Sequence, residues 1–366
     1  MSLNLRQNSI IFLLIEKMKI TFYKVNLEKR FPLAISRGVN YKSENIFLCL
    51  EKDGIRAWGE AAPGITEGAS SSLKVQQILE EFISQGIEGK SIQSLYDIAK
   101  IQQVPPCAYV ALDTALWDWT AKKAGLPLYQ MLGFSKPQIP TSVTIGINPP
   151  EVVKERIPLL LDGTTVRSLK IKLGSPQGLD ADKSMFEQVV KSTQNYDVKL
   201  RVDANGGWDV PQAQHMMQWL ADRKVDYIEQ PLKEGEESQL KHLYKDRPLP
   251  IYLDESCRFA ENIPTFASHV DGVNMKLMKC GGITEALRII STARAHGLKT
   301  MIGCMSESSV AIAAAASISG GIDHIDLDSH YNLNPDPSNG APMINGITSP
   351  LDIPGHGAEL KEEFYA

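Results

Sequence analysis

The sequence predicts an α/β fold, a barrel of parallel strands preceded by a small antiparallel sheet with helices. Two observations carry this reading. From Pro140 to about Ser329, short apolar runs alternate with amphipathic stretches, the rhythm of repeated strand–helix units. Within it, five polar side chains sit one per segment near the end of an apolar run: Lys172, Asp203, Glu229, Asp254 and Lys276. Their separation, roughly two to three dozen residues, is about one strand–helix unit of such a barrel. Charged groups at the carboxyl ends of successive strands converge on one mouth.

In chain order, Lys19–Asn26 reads as a strand, and Ile46–Glu51 and Ile55–Gly59 flank Asp53-Gly54, a strong hairpin signal. Helical patterns follow at about Ser72–Ser84 and Ala108–Ala124, the second stopped by Gly125 with Pro127 just beyond. Strands are then expected at Thr141–Ile147, Leu169–Leu173, Lys199–Asp203, Asp226–Glu229, Ile251–Asp254, Gly272–Leu277, Lys299–Cys304 and His324–Asp328. Eight strands over roughly 190 residues make a compact barrel, below the usual size. The tail from His330, rich in Pro, Gly and Asn, is expected to fold back on the first domain. The apolar stretch Ile10–Ile15 is too short to span a bilayer, is followed at once by Glu16-Lys17, and precedes no small-residue cleavage site. The folded part should begin near Met18, with residues 1–17 an extension or an artefact of the start.

A chain of 366 residues accommodates one large domain and a smaller one, and 43% hydrophobic with 22% charged residues is ordinary for a globular protein. A net charge of -5 with no Lys/Arg tract argues against nucleic acid. Five scattered cysteines with no C-x-x-C pair suit a reducing cytoplasm better than a disulfide framework.

Three carboxylates at one mouth, Asp203, Glu229 and Asp254, would repel one another unless a cation bound them. All-oxygen ligation selects a hard ion, Mg²⁺ first among them, and Asn205 and Glu255 would hydrogen-bond the ligands. Any one of these acids alone reads as readily as a helix N-cap or a solvated loop residue. Three in step, one per strand, do not. Lys170 and Lys172, two apart on a strand, share one face, with Leu169, Ile171 and Leu173 packing outward. A like-charged neighbour and a nearby metal would lower one lysine toward neutrality, making it a base. Lys276 lies across the barrel; Lys279, its competitor, falls past the apolar run beside Gly281-Gly282. Asp326 and Asp328, on one face of the last strand, suit a substrate ammonium group, although an isolated D-x-D also reads as a polar strand end.

The seven histidines show no H-x-x-x-H or H-x-H, so a zinc hydrolase is unsupported. The G-x-G-x-x-G fingerprint, the phosphate-binding P-loop and the G-x-S-x-G elbow are absent.

Lys170-Ile171-Lys172, Asp203-Ala204-Asn205, Glu229-Gln230-Pro231, Asp254-Glu255-Ser256 and Lys276 before its glycine pair together resemble the enolase superfamily, in its muconate-lactonizing subgroup, from Met18 onward. The resemblance implies a modified (β/α)₇β barrel over 139–329 under an α+β capping domain of 18–138 joined by 330–366. It also implies a lysine base beside Mg²⁺ that stabilises an ene-diolate. Mandelate-racemase-like members carry a His–Asp pair on the sixth and seventh strands; here those strands carry Lys276 and Gly303-Cys304-Met305. The subgroup holds muconate cycloisomerases, o-succinylbenzoate synthases, N-acylamino acid racemases and dipeptide epimerases. Asp326-Leu327-Asp328 looks like the pair with which dipeptide epimerases hold the free α-ammonium, and Gly303 to Ser308 looks like their seventh-strand segment.

On this resemblance Lys172 and Lys276 are the two bases and Asp203, Glu229 and Asp254 the Mg²⁺ ligands, while Thr144, Lys170, Cys304, Asp326 and Asp328 contact substrate. The partner is a small dipeptide, with neither nucleic acid nor membrane, and a cytoplasmic homo-oligomer is expected. Capping loops around Ser36-Arg37-Gly38 and Gly64 to Gly68 should close over the site. Arg37 could pair with an acidic substrate side chain, as in Ala-Glu epimerases, but Glu67 would oppose an anion. The reading therefore favours Ala-Ala or Ala-apolar dipeptides, as from cell-wall turnover. A lyase or cycloisomerase on the same scaffold, which would not need the acid pair, and a catalytically idle relative stay open.

Overall fold

A computed structural model describes residues 18–365. Ile10–Ile15 and the expected extension 1–17 lie outside the described residues. Strands β1 (Lys19–Ile35), β2 (Gly38–Lys52) and β3 (Ile55–Ala61) form an antiparallel sheet in that order. The turn between β2 and β3 has positive φ at both Asp53 (53°) and Gly54 (72°), as a two-residue hairpin turn requires. β1 runs nine residues past the expected Asn26. Its pairing with β2 slips between Glu28 and Leu33, so Lys29 to Pro32 leave the ladder. Alternation fails at that bulge, which is why the sequence pattern stops there.

Helix α1 (Ser72–Ser84) has the expected bounds, its first turn capped by Ser71 Oγ accepting from Lys74 N. Helix α2 (Ile92–Ile101), which was not expected, buries Leu95, Tyr96 and Ala99. Helix α3 (Pro106–Ala124) ends on Gly125 at φ 68°, the left-handed cap that the Gly-x-Pro signal implies. The one-turn α4 (Leu128–Met131) leads into the barrel.

The barrel strands are β4 (Val143–Ile145), β5 (Ser168–Lys172), β6 (Lys199–Asp203), β7 (Ile228–Glu229), β8 (Ile251–Leu253), β9 (Gly272–Lys276), β10 (Lys299–Gly303) and β11 (His324–Ile325), hydrogen-bonded in sequence order and parallel. A parallel bridge between Thr141 and Ile325 joins the two ends of the sheet. The connecting helices are α5 (Pro150–Leu161), α6 (Leu179–Thr193), α7 (Val210–Ala221), α8 (Leu240–Tyr244), α9 (Ile263–Phe266), α10 (Leu277–Cys280), α11 (Ile283–Ala295) and α12 (Ser309–Ala316). α8 and α9 are only one turn or so, which accounts for the compact barrel. Several strands stop one to three residues before the expected end, because Asp254, Leu277, Cys304 and Asp326 to Asp328 already turn out of the ladder at the mouth. Among the described residues no helix is long and apolar enough to cross a membrane.

The tail does return to the first sheet. Leu333 bridges Lys29, and Tyr365 packs on Tyr23 and Trp58 at centroid distances of 5.4 Å. Asp118 on α3, fully buried, ties three elements together: Oδ2 accepts from Trp58 N on β3 (3.0 Å) and pairs with Lys122 Nζ (2.9 Å), while Oδ1 accepts from His356 N in the tail (2.8 Å). Asp118→Ala leaves two buried N–H donors and a cation without their acceptor. It should destabilise the fold by about 3 kcal/mol, read as a fall in the urea midpoint at constant slope. A loss below about 1 kcal/mol would show that the tail is held otherwise.

Candidate active site

Each acid of the triad ends a strand or lies one residue beyond it, where the backbone turns. Asp203 closes β6 and Glu229 closes β7; Asp254 follows β8. Their carboxylate oxygens lie within 4.8 Å of one another, all three buried. The residues just after β6 and β7 take left-handed backbone that is uncommon for side chains of their size, Asn205 at φ 45° and Gln230 at φ 37°. That geometry brings them back onto the triad. Asn205 N donates to Asp203 Oδ1 (2.8 Å) and Nδ2 to Asp203 Oδ2 and Glu255 Oε1 (3.2 Å each). Gln230 Oε1 accepts from Asp254 N (2.9 Å).

Five lysines surround these acids or the cluster beside them. Lys172 Nζ is 2.5 Å from Asp203 Oδ2, and Lys276 Nζ is 2.7 Å from Asp254 Oδ2. Lys170, fully buried on β5, reaches Asp326 Oδ2 (2.7 Å), Glu229 Oε2 (2.8 Å) and Asp203 Oδ2 (3.3 Å). Lys279, set aside in the sequence as past its strand, is carried inward by α10 and sits 2.6 Å from Asp254 Oδ1 while also donating to Asp254 O. Lys29 arrives from the β1 bulge, with Nζ 2.5 Å from Ser306 Oγ.

Burial and charge set the ionisation of this cluster. Burial, reinforced by Asp203, pushes Glu229 up to about 8. Burial would raise Asp203 and Asp254 too, but Lys172 and Lys170 hold the first below the usual carboxylate range, and Lys276 and Lys279 hold the second well below it. Two of these lysines, Lys170 and Lys276, feel opposing influences. Burial does pull both down. Carboxylates in direct contact outweigh it, Asp326 and then Glu229 at Lys170 and Asp254 at Lys276, and both lie above the ordinary lysine range. Lys29 goes the other way, lowered by burial against the weaker pull of Cys304 and Asp328.

Beside the triad a second acid cluster forms. Asp326 and Asp328 follow β11 rather than lying within it, because the strand ends at Ile325. Asp326 Oδ2 takes Lys170, and Oδ1 is a buried acceptor with no hydrogen-bond partner among the described residues. Asp328 Oδ2 accepts from Thr144 N (2.7 Å); burial and then Asp326 push its carboxyl up to about 6. Cys304 Sγ donates to Asp326 O (3.2 Å), and burial holds its thiol well above the usual range.

The structure thus brings together Thr144, Lys170, Lys172, Asp203, Glu229, Asp254, Lys276, Cys304, Asp326 and Asp328, with Asn205 and Glu255 behind the acids. Arg37 is placed differently from the expectation. Its Nη2 meets Glu255 Oε1 (2.7 Å) and its Nη1 donates to Asn205 O (2.9 Å), so this guanidinium is engaged by the protein's own acid. Glu67 is buried, with Arg258 Nη1 3.6 Å away. Three contributors escaped the sequence reading. Asn274 Nδ2 donates to Glu229 Oε1 (2.7 Å); it lies two before Lys276 on one strand face, a signal that was present. Lys279 and Lys29 depend on a short helix and a bulge that leave no periodic trace.

Three buried carboxylates with convergent oxygens form an all-oxygen donor set, and Glu229, pushed up by burial and then by Asp203, would be drawn back toward its charged form by a cation between them. The residues present fit a hard divalent cation. Chain comparison agrees with this geometry. A family model described as mandelate racemase / muconate lactonizing enzyme, N-terminal domain, matches residues 17–133, and one described as enolase C-terminal domain-like matches residues 153–364. The chain belongs to this enolase-type family. As a member of it, the chain is 79% identical over 349 residues to a hydrophobic dipeptide epimerase of Flavobacteria bacterium (strain MS024-2A), covering 95% of this chain and 100% of that one. It is 57% identical over 343 residues to a hydrophobic dipeptide epimerase of Roseobacter litoralis, covering 94% and 99%. Among solved structures, the dipeptide epimerase of Enterococcus faecalis V583 complexed with Mg and the dipeptide L-Leu-L-Tyr superposes with a TM-score of 0.84 at 30% identity, covering 94% of this chain and 99% of that one.

Proposed function

We propose that this enolase-family member is a dipeptide epimerase that inverts Cα of the C-terminal residue by two-base 1,1-proton transfer, acting on apolar dipeptides such as Ala-Ala. The observation that carries the reading is the placement of Lys172 and Lys276. One amine rests on Asp203 and the other on Asp254, and the strands that carry the two lysines have three strands of the sheet between them, so the acid triad lies between two candidate bases. The relatives named hydrophobic dipeptide epimerase support both the reaction and the apolar preference.

In this reading Asp203, Glu229 and Asp254 hold Mg²⁺, which would supply a Lewis acid for the substrate carboxylate and the charge that develops on its oxygens. Lys170, kept protonated by Asp326, Glu229 and Asp203, adds a fixed positive charge beside that carboxylate. Asp326 and Asp328 take the substrate's α-ammonium; the unpartnered Asp326 Oδ1 offers it an acceptor. Thr144 and Cys304 hold that acid pair in place. Lys172 and Lys276 then face opposite sides of the substrate Cα, one removing a proton and the other returning one. Five free cysteines suit the cytoplasm, and the reading includes a homo-oligomer that draws its dipeptides from cell-wall turnover.

The test is NMR in D₂O with a dipeptide library, scoring loss of the α-proton signal; no washout from any dipeptide would sink the reading. N-acetylating an active dipeptide removes the charge-assisted contact to the acid pair and should cost roughly 1.5–3 kcal/mol in kcat/KM. Equal turnover of acetylated and free dipeptide would instead favour an N-acylamino acid racemase.

A further inference from the structure

Ser36 and Arg37 form the turn between β1 and β2, since Ile35 pairs with Gly38. Three donors of this turn converge on two neighbours of the acid triad. Ser36 Oγ and Arg37 Nη1 both donate to Asn205 O (2.9 Å each), and Arg37 Nη2 meets Glu255 Oε1 (2.7 Å). Asn205 in turn holds both oxygens of Asp203 through N and Nδ2, and Glu255 follows Asp254 directly. One guanidinium from the cap thus stands one contact away from Asp203 and one residue away from Asp254.

Packing contributes little to this tip. Ala34 O still accepts from Ile147 N on the barrel (2.8 Å). Beyond it, a cavity of about 490 Å³ separates Ile35, Gly38 and Val39 from barrel-loop residues that include Pro149, Pro176 and Gln177. Val39 and Tyr41 are largely exposed. A tip bordered by free volume and held by a few charge-assisted bonds stays down only while its acceptors keep their place. Those acceptors are fixed by the carboxylates that hold the ion. We infer that Arg37 is a positioning residue, a clasp through which closure of the cap hairpin and binding of Mg²⁺ strengthen each other by the same factor. The inference rests on the triad as the Mg²⁺ site and is independent of the stereochemistry of the reaction. It gives Arg37 a role other than reading an acidic substrate side chain.

The experiment uses Arg37→Gln and Arg37→Lys; the lysine keeps the charge and the trypsin site but loses the fork that spans Asn205 O and Glu255. In the wild type, Mg²⁺ should slow tryptic cleavage after residue 37 about 5-fold or more, with cleavage elsewhere in the chain as the reference. In Arg37→Lys that protection should vanish. Calorimetry should show Mg²⁺ bound about 5-fold or more weakly by both variants. Their urea midpoints in EDTA should match the wild type, because the Arg37 side chain is 48% exposed. A merely structural role would lower those midpoints and leave Mg²⁺ affinity unchanged, which overturns the inference. So does a specificity role, in which Arg37→Gln binds Mg²⁺ normally and loses α-proton washout from Ala-Glu alone. No heat of Mg²⁺ binding to the wild type removes the ion reading and the inference with it. Mg²⁺ binding without washout from any dipeptide would instead sink the epimerase reading alone.

Discussion

Lys172→Ala and Lys276→Ala should each abolish net epimerisation, yet each should keep α-hydrogen exchange in D₂O with one substrate stereoisomer, a different one in the two variants. Inversion at Cα needs a proton taken from one face and another delivered to the opposite face. Lys172 ends β5 and Lys276 ends β9, with the acid-bearing strand ends of β6, β7 and β8 between them. Neither amine can serve both faces. Each must be neutral to abstract and protonated to donate, and the two directions of reaction exchange those roles. A positioned base contributes roughly 10²–10⁴-fold, and both directions pass through both lysines, so net turnover should fall by at least that much in either variant. Both variants should fold. Lys279 still neutralises Asp254 when Lys276 is gone, and Lys170 stays 3.3 Å from Asp203 when Lys172 is gone. Near wild-type interconversion by Lys276→Ala would refute the two-base mechanism and favour a one-base cycloisomerase or dehydratase on this scaffold.

What made this site legible was position rather than residue type. Asp203, Glu229, Asp254, Lys172 and Lys276 each terminate or follow a short apolar run, so a one-dimensional rhythm already places them at one mouth. The same rhythm locates all eight barrel strands, and its errors cluster at their ends. Residues that turn toward the mouth, Asp254 and Cys304 among them, look like a continuing strand until hydrogen bonding is examined. Helix α2 was readable from Ile92, Leu95, Tyr96 and Ala99 at helical spacing behind the Ser91 cap, but it is only ten residues long. The remaining misses are of another kind. The Arg37–Glu255 pair joins residues 218 apart, and Lys29 meets Ser306 across 277, through a bulge that breaks the strand pattern. Contacts between the cap and the barrel leave no local trace, so the direction in which Arg37 points could not be read from its neighbours in sequence.

Removing the divalent ion should abolish activity, and Asp254→Asn should do the same at any practical Mg²⁺ concentration. Asp254 is the most strongly engaged of the three acids, since both its oxygens already meet ammonium groups, Lys276 at 2.7 Å and Lys279 at 2.6 Å. Asparagine preserves its size but deletes one of the three charges that make the triad a hard-cation site. It also turns an N–H₂ toward one of two lysines that can only donate, Lys276 on one oxygen or Lys279 on the other, so the substitution weakens ion binding and displaces that lysine together. Ion binding is measurable apart from turnover. Wild-type protein at about 100-fold the Mg²⁺ dissociation constant should gain about 2.7 kcal/mol in stability, seen as a rise in melting temperature that EDTA reverses. Asp254→Asn should show little of that rise and little heat of Mg²⁺ binding by calorimetry, while retaining a folded circular-dichroism spectrum. Lys172→Ala, which leaves the acids intact, should retain the rise despite being inactive, so stabilisation and catalysis separate. Full turnover by enzyme stripped of metal would mean that the three acids serve structure alone, and that the two lysines act on a carboxylate held by Lys170 without a cation.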